Sequence, residues 1–451
     1  MPEATEPGAS NNRGTWGSEF GFIIAAVGSA VGLGNMWRFS ATTASSGGAA
    51  FVLLYIGLTF LVGIPLLMAE LAIGRRMKLS PIGALRGAIG PAWVPVGYLF
   101  VIAGFVIFSF YAVIAGWAVR YGLEAVLSGL PADPGQHFGD IATGVPAAIY
   151  HVAFVAITVA IVMAGVQKGI EKAAVILMPL LFAILVGLAI WAATLPGAGA
   201  GYEFYLSPDF SQLLDAETIG LAAGQTYFSL SLGMGAILTF ASYMGRGHNL
   251  GKEGVIIAFA DFAVAFVAGL VVFPVVFALG FSDQVIGLSA SDAEGVLFIA
   301  LPGAFAAMGA WGRVIGILFF FGLSVAALTS TISLLEVVVS SVIDEWKIPR
   351  AKASLLIGGG IAIVGIAPAM SLRILGQMNS IAGELFLGLG AFLTVIAVGW
   401  IMDDPVSELA DGASPFIKKT LPIWYGVVRY VLPVITGGVL FIMIQSKFFS
   451  G

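Results

Sequence analysis

The chain has 451 residues, of which 59% are hydrophobic and 10% charged, with a formal net charge of −5 and a mean hydropathy of +1.01. A soluble domain carries about 25% charged residues, so the composition excludes a soluble globular fold. With no cysteine in the sequence, disulfides and thiolate metal sites are excluded too. The 60 glycines suit helices that approach closely in lipid, and the three histidines, His137, His151 and His248, lie far apart. The first 19 residues are polar, and the apolar run that follows is too long for a cleaved signal peptide.

In chain order, apolar runs that meet the ~20-residue spanning criterion fall at 20–42, 47–74, 94–124, 146–165, 170–196, 217–244, 253–281, 312–343, 353–371, 377–402 and 422–446. The pattern predicts an all-α polytopic membrane protein with eleven transmembrane helices. The segments 47–74, 94–124 and 312–343 exceed the bilayer thickness and should tilt or project into water. If the N-terminus is cytoplasmic, 15 of the 20 Lys and Arg residues lie inside, and only Arg38, Arg120, Arg313, Arg373 and Lys447 lie outside. The positive-inside rule therefore predicts an N-terminus in the cytoplasm of a cell (inner) membrane protein and a C-terminus outside. The loop 197–216, with Glu203, Asp209 and Asp215 and no base, agrees as an outer loop.

Two of these segments break in the same way. Ala30-Val31-Gly32-Leu33-Gly34-Asn35 interrupts the first, and Ser229-Leu230-Ser231-Leu232-Gly233-Met234-Gly235 the sixth. Gly-x-Gly at the midplane favours unwinding, and unwound backbone must face a cavity or ligand rather than lipid. The breaks are 201 residues apart with four segments between them. Segments 1–5 and 6–10 can therefore be read as two five-helix repeats, the second inverted because an odd number of crossings reverses its direction. The division is a tail at 1–19, a first repeat at 20–200, a second at 201–403, and a cytoplasmic loop with helix 11 at 404–451. Four carboxylates, Glu70, Asp261, Glu336 and Glu384, fall at membrane depth, where acids are costly and mark function.

The stretch WGSEFGFIIAAVGSAVGLGNMWRF (16–39) resembles the first helix of the neurotransmitter:sodium symporter family. The likeness continues in GGAAFVLLYIGLTFLVGIPLLMAELAIGR (47–75), KGIEKAAVILMPLLF (168–182), GQTYFSLSLGMGAILTFASY (224–243) and ALTSTISLLEVVVSSVIDE (327–345). It covers segments 1 to 10 in order and implies the leucine-transporter (LeuT) fold, with its 5+5 inverted repeat and unwound helices 1 and 6. It also implies sodium-coupled symport of an amino acid by alternating access, with the amino acid and the lipid bilayer as partners and no nucleic acid; oligomeric state stays open.

The resemblance implies two sodium sites. One would use the Ala30 carbonyl, Asn35, Ser229, Asp261 and the carboxylate of the substrate. The other would use carbonyls of Gly28, Val31 and Ala326 with the hydroxyls of Thr329 and Ser330. Gly32 stands where amine-carrying members resemble an aspartate, which leaves room for an amino-acid carboxylate held by the Leu33 and Gly34 amides and the Tyr111 hydroxyl. The amine would meet carbonyls of Ala30 and Phe228 and the Ser231 hydroxyl. Ile107, Tyr111, Phe228, Met234, Ser330 and Leu334 would line a largely apolar pocket. Such a pocket favours a neutral hydrophobic L-amino acid from valine to tryptophan, since an unpaired polar group is costly there. A small amino acid (alanine or glycine), β-alanine or taurine is the alternative.

Asp261 stands where chloride-dependent animal transporters resemble an asparagine, which predicts chloride-independent transport. Glu70 resembles a glutamate that hydrogen-bonds the unwound backbone of segment 6, and Glu336 is expected to act likewise on the cytoplasmic side. On the outer side the expected gate is Arg38 with Gln225. The family's aspartate on segment 10 is matched here by Asn379, with Glu384 as a substitute gate acid or a substrate contact. On the inner side Arg13 and Trp16 would close on Asp344, near Ser242 and Tyr243.

Other classes fare worse. An intramembrane enzyme lacks its signatures, since there is no His-Glu-x-x-His, no Gly-x-Gly-Asp and no cysteine. A channel would not need inverted repeats around one occluded site, and a non-transporting receptor would not need intact sodium positions.

Overall fold

The computed structural model describes residues 14–284, 286 and 296–448. The first segment is broken into α1a (Glu19–Ala30) and α1b (Gly34–Ser45), bent by 48°. There follow α2 (Ala49–Met77), α3 (Pro91–Leu127), α4 (Gly144–Met163) and α5 (Val166–Ala192). The sixth segment is divided into α6a (Ala216–Ser229) and α6b (Ala236–Ala241). The chain continues with α7 (Leu250–Ala278), α8 (Ala310–Trp346), α9 (Arg350–Met370), α10 (Leu372–Ile401) and α11 (Pro415–Gln445).

Among the described residues nine helices are long and apolar enough to cross a membrane singly, and the bent pair α1a–α1b makes ten. The eleventh expected span is α6a–α6b, whose halves of 14 and 6 residues are each too short alone. The cause is local. Ser231, Gly233 and Gly235 all have positive φ (54°, 75° and 72°), which a right-handed helix cannot accommodate. In the first segment Val31 leaves the helix with φ −74° and ψ 112°. Short helices that the apolar runs did not foretell cap the bundle, among them Pro81–Ala88, Pro134–Ile141, Ala198–Leu206 and Pro405–Ala410.

α3 and α8, 37 residues each, pack along one another as the most extensive helix pair. At 1.5 Å per residue each is about 55 Å long, well beyond a ~30 Å hydrocarbon core. In their most apolar windows 72% of residues are buried, against 28–39% in α4, α5, α9 and α11, which therefore form the lipid-facing wall. The helices sort into two groups. α1, α2, α6 and α7 pack on one another, as do α3, α4, α8 and α9, and α1a bridges the groups by touching α5, α7 and α8.

Close packing rests on absent side chains. A Cβ at Gly74 on α2 would lie 2.1 Å from the Leu238 carbonyl oxygen of α6b, so only glycine lets this pair touch. Gly74→Ala should destabilise the fold by roughly 1–3 kcal/mol, read as a lowered melting temperature in detergent. Gly57→Ala, where nothing lies within 4 Å of the added methyl, should leave it near the parent value.

Candidate functional site

The helix break in α1 frees backbone groups that a continuous helix would consume. The Gly32 amide donates to Asn35 Oδ1 at 2.9 Å rather than closing on the Gly28 carbonyl, and the Leu33 amide donates to the Tyr111 hydroxyl at 2.6 Å. The Ser29 carbonyl accepts from the hydroxyls of Ser231 (2.8 Å) and Ser330 (3.4 Å). The last turn of α1a thus presents carbonyls, and the first turn of α1b amides, toward the centre of the bundle, which is the polarity that holds a cation and a carboxylate respectively.

On the α7 side lies a polar knot. Asn35 Nδ2 donates to Asp261 Oδ1 (2.6 Å), to the Asp261 carbonyl (3.0 Å) and to Ser229 Oγ (3.1 Å). Ser229 donates to the two carboxylate oxygens of Asp261 at 2.9 and 2.8 Å. The Tyr55 hydroxyl approaches Ser229 Oγ at 3.1 Å and Asp261 Oδ2 at 3.2 Å. Asn35, Tyr55 and Asp261 are fully buried, and Asp261 has no positively charged partner among the described residues. Three members of the first expected ligand set are therefore in one place. Tyr55 was missed. Its signal is a phenol inside an apolar run, since a buried Tyr hydroxyl needs a partner.

On the α8 side the second expected set also comes together. Thr329 Oγ1 lies 3.4 Å from the Val31 carbonyl and 3.0 Å from that of Ala326, and Ser330 Oγ lies 3.3 Å from Val31 O. A Cβ at Gly28 would sit 3.3 Å from Thr329 Cβ, which places Gly28 against the same pair. No cluster of three His, Cys, Asp or Glu side chains able to hold a metal ion occurs among the described residues. Both sets consist mainly of neutral oxygens, the chemistry of an alkali cation rather than of zinc.

Between the two sets lies a cavity of about 280 Å³. Its walls are Ser29, Ala30, Gly32 and Gly34 of the α1 break, Ile107 and Tyr111 of α3, Phe228, Ser231 and Met234 of segment 6, and Ser330 and Leu334 of α8. Of the expected substrate contacts, only Leu33 is absent from this wall, and its amide is held by Tyr111.

The ends of the site differ in part from expectation. Arg38 pairs with Glu384 (3.3 Å) and the Gly383 carbonyl (3.3 Å), and its guanidinium lies 4.9 Å from the centre of the Phe228 ring that walls the cavity. Gln225 is not its partner: the side chain turns inward and donates to the Gly34 carbonyl at 2.8 Å, an acceptor that the Phe39 amide also uses. Asn379 Oδ1 is buried without a hydrogen-bond partner among the described residues, and Glu384 supplies the acid in its place.

At the opposite end, Trp16 donates to the Phe240 carbonyl (2.8 Å) and packs edge-on against Phe22, Phe240 and Tyr243. Glu171 holds the chain there by accepting from the Gly17 amide at 2.7 Å. Asp344 accepts from the Ser80 amide at 2.7 Å, and Arg13 lies outside the described residues. Glu70 accepts from the Gly233 amide at 2.8 Å and so braces the break in segment 6. Glu336 does not act likewise. A bidentate Arg350 (2.6 and 2.9 Å) and the Tyr243 hydroxyl take its oxygens, a stronger set of donors than a lone backbone amide.

A central cavity at the breaks of two membrane helices, between two helix groups, is the arrangement of a secondary transporter. Comparison with known proteins agrees. Residues 13–140 and 137–449 match the sodium:neurotransmitter symporter family. The chain is 36% identical to the sodium-dependent transporter YhdH of Bacillus subtilis, over 93% of this chain and 95% of that one. It is 32% identical to a sodium-dependent transporter of Methanocaldococcus jannaschii, over 97% of this chain and 92% of the relative. It superposes on the crystal structure of MhsT in complex with L-phenylalanine with a TM-score of 0.87 and 38% identity, covering 96% of this chain and all of that one. The chain belongs to the sodium:neurotransmitter symporter family, a family of multi-pass membrane transporters, and has the LeuT fold.

Gly32 gives the site a direct test. A Cβ there would lie 2.1 Å from Ser330 Oγ and 2.5 Å from the Tyr111 hydroxyl. Gly32→Ala should reduce sodium-dependent uptake at least about tenfold, a loss of ~1.4 kcal/mol or more in binding, while the protein still elutes as a folded species in detergent.

Proposed function

We propose that the protein is a sodium-coupled symporter of neutral, hydrophobic L-amino acids that works by alternating access, with two sodium ions and without chloride. The observation that carries this reading is the buried Asp261 carboxylate, which has neutral hydrogen-bond donors and no cation among the described residues, beside an apolar cavity. A charge so placed is costly unless a cation joins it.

The first sodium would be held by the Ala30 carbonyl, Asn35, Ser229, Asp261 and the carboxylate of the substrate, which makes ion and amino acid bind together. The second would be held by carbonyls of Gly28, Val31 and Ala326 and the hydroxyls of Thr329 and Ser330. The carboxylate of the amino acid fits the Leu33 and Gly34 amides and Tyr111, and its amine the carbonyls of Ala30 and Phe228 and the Ser231 hydroxyl. Ile107, Phe228, Met234 and Leu334 give its side chain an apolar surround. The L-phenylalanine bound to MhsT, a structural neighbour at 38% identity, supports the same substrate class.

The Trp16 end would face the cytoplasm, with 15 of the 20 basic residues on that side, and the Glu384 end the outside of the cell membrane. Residues 20–200 and 201–403 would form the inverted repeats. A ligand shifts a conformational equilibrium only by binding its two states unequally. Sodium at the second site would do so by joining the last turn of α1a to α8, and its loss to the cytoplasm would free α1a to swing. The carboxylate of Asp261 would supply the negative charge that chloride provides elsewhere.

Two outcomes follow. Thr329→Ala combined with Ser330→Ala should lower sodium-dependent amino-acid binding at least about a hundredfold, ~2.7 kcal/mol, measured by scintillation proximity; unchanged binding would refute the second site. Uptake by the parent should be unaffected when gluconate replaces chloride at constant sodium. Asp261→Asn should transport weakly and gain from added chloride, whereas collapse of parent uptake in gluconate would refute chloride independence.

A further inference from the structure

The ion pair above the cavity has a third member. Glu384 of α10 is shared. One carboxylate oxygen faces Arg38 at 3.3 Å, and the other is bound by Lys447, two residues past the end of α11, at 2.6 Å. Lys447 is itself fixed by the Ser380 carbonyl at 2.8 Å and by the Ser380 hydroxyl, one turn before Glu384 on α10. Arg38, by contrast, belongs to α1b. The three charges border a second cavity of about 440 Å³, which also includes Glu217 and Leu221 of α6a and Ile442 of α11. All three are largely shielded from solvent, with side-chain exposures of 8% for Arg38, 22% for Glu384 and 18% for Lys447.

We propose that Lys447 is a positioning residue that sets the strength of the outer gate by competing with Arg38 for Glu384. The carboxylate is held on the α10–α11 side by the shorter contact, so it stays neutralised when α1b moves away. Opening then removes Arg38 from a carboxylate already satisfied and leaves no isolated acid behind, which a part-buried site would penalise. The second cation also repels Arg38 and shares the charge that attracts it, so the closed gate is held only weakly. This proposal rests on the reading of Arg38 and Glu384 as the outer gate.

The chain has no cysteine, so a single one reports cleanly. Leu221→Cys in the wall of the second cavity is reconstituted as the full-length transporter in sodium, with no amino acid added. The rate of its reaction with a membrane-impermeant methanethiosulfonate is then measured. Adding Lys447→Gln should slow labelling about threefold, the scale of a part-exposed ion pair, because Arg38 then has the whole carboxylate. Lys447→Arg should restore the rate. If Lys447 only holds Glu384 in place, Lys447→Gln will speed labelling instead; faster or unchanged labelling overturns the proposal. Adding Glu384→Gln to Lys447→Gln should speed labelling above the Leu221→Cys parent, which separates a gate effect from misfolding. The labelling is read without substrate, so an error in the proposed substrate class would leave this result standing.

Discussion

Asp261 lies in the middle of a long apolar helix, fully buried, and among the described residues its carboxylate is met only by an amide, a serine and a phenol. Those three donors come from three elements: Asn35 from the first turn after the α1 break, Ser229 from the last turn of α6a, and Tyr55 from α2. Around this one charge, therefore, four helices of a single group are tied together at the level where two of them come apart. In the proposed function a sodium ion completes the charge balance. The carboxylate is then both the fastener of the bundle and the reason an ion must enter before the site is stable.

The rest of the architecture sets that charge beside a small cavity, next to the wall residues Gly34 and Phe228. Helix breaks supply polar backbone where side chains would be too bulky. At Gly32 a methyl would strike Tyr111 and Ser330, and at Gly233 and Gly235 the backbone is left-handed. Glu70 pays for the second break by taking the freed Gly233 amide. Long, deeply buried α3 and α8 give the cavity a firm wall, while the group of α1, α2, α6 and α7 carries both breaks. In the proposed function two contacts serve as its gates: a shared ion pair over Phe228, and a tryptophan docked on a backbone carbonyl oxygen.

Much of this was legible in the sequence, and the limits have physical causes. The breaks at 30–35 and 229–235 were visible because glycine pairs interrupt long apolar runs. The wall of the cavity was visible only through the resemblance to the symporter family, because spacing alone does not say which residues of α3 and α8 face the breaks. What escaped depends on side-chain direction across helices, which spacing does not encode. Gln225 points to the Gly34 carbonyl rather than to Arg38, and Glu336 is taken by Arg350 from the next helix. Tyr55 lies inside an apolar run, and only the structure shows its hydroxyl against Asp261. The short helices Pro134–Ile141 and Pro405–Ala410 were missed because they are amphipathic pieces between the apolar runs.

The most direct test of the central claim is uptake of radiolabelled L-phenylalanine into proteoliposomes under an imposed inward sodium gradient. Coupled symport predicts accumulation above the external concentration, saturable in sodium and in amino acid, and released when an ionophore dissipates the sodium gradient. Flux that rises linearly with concentration, or accumulation that persists with potassium in place of sodium, would contradict it.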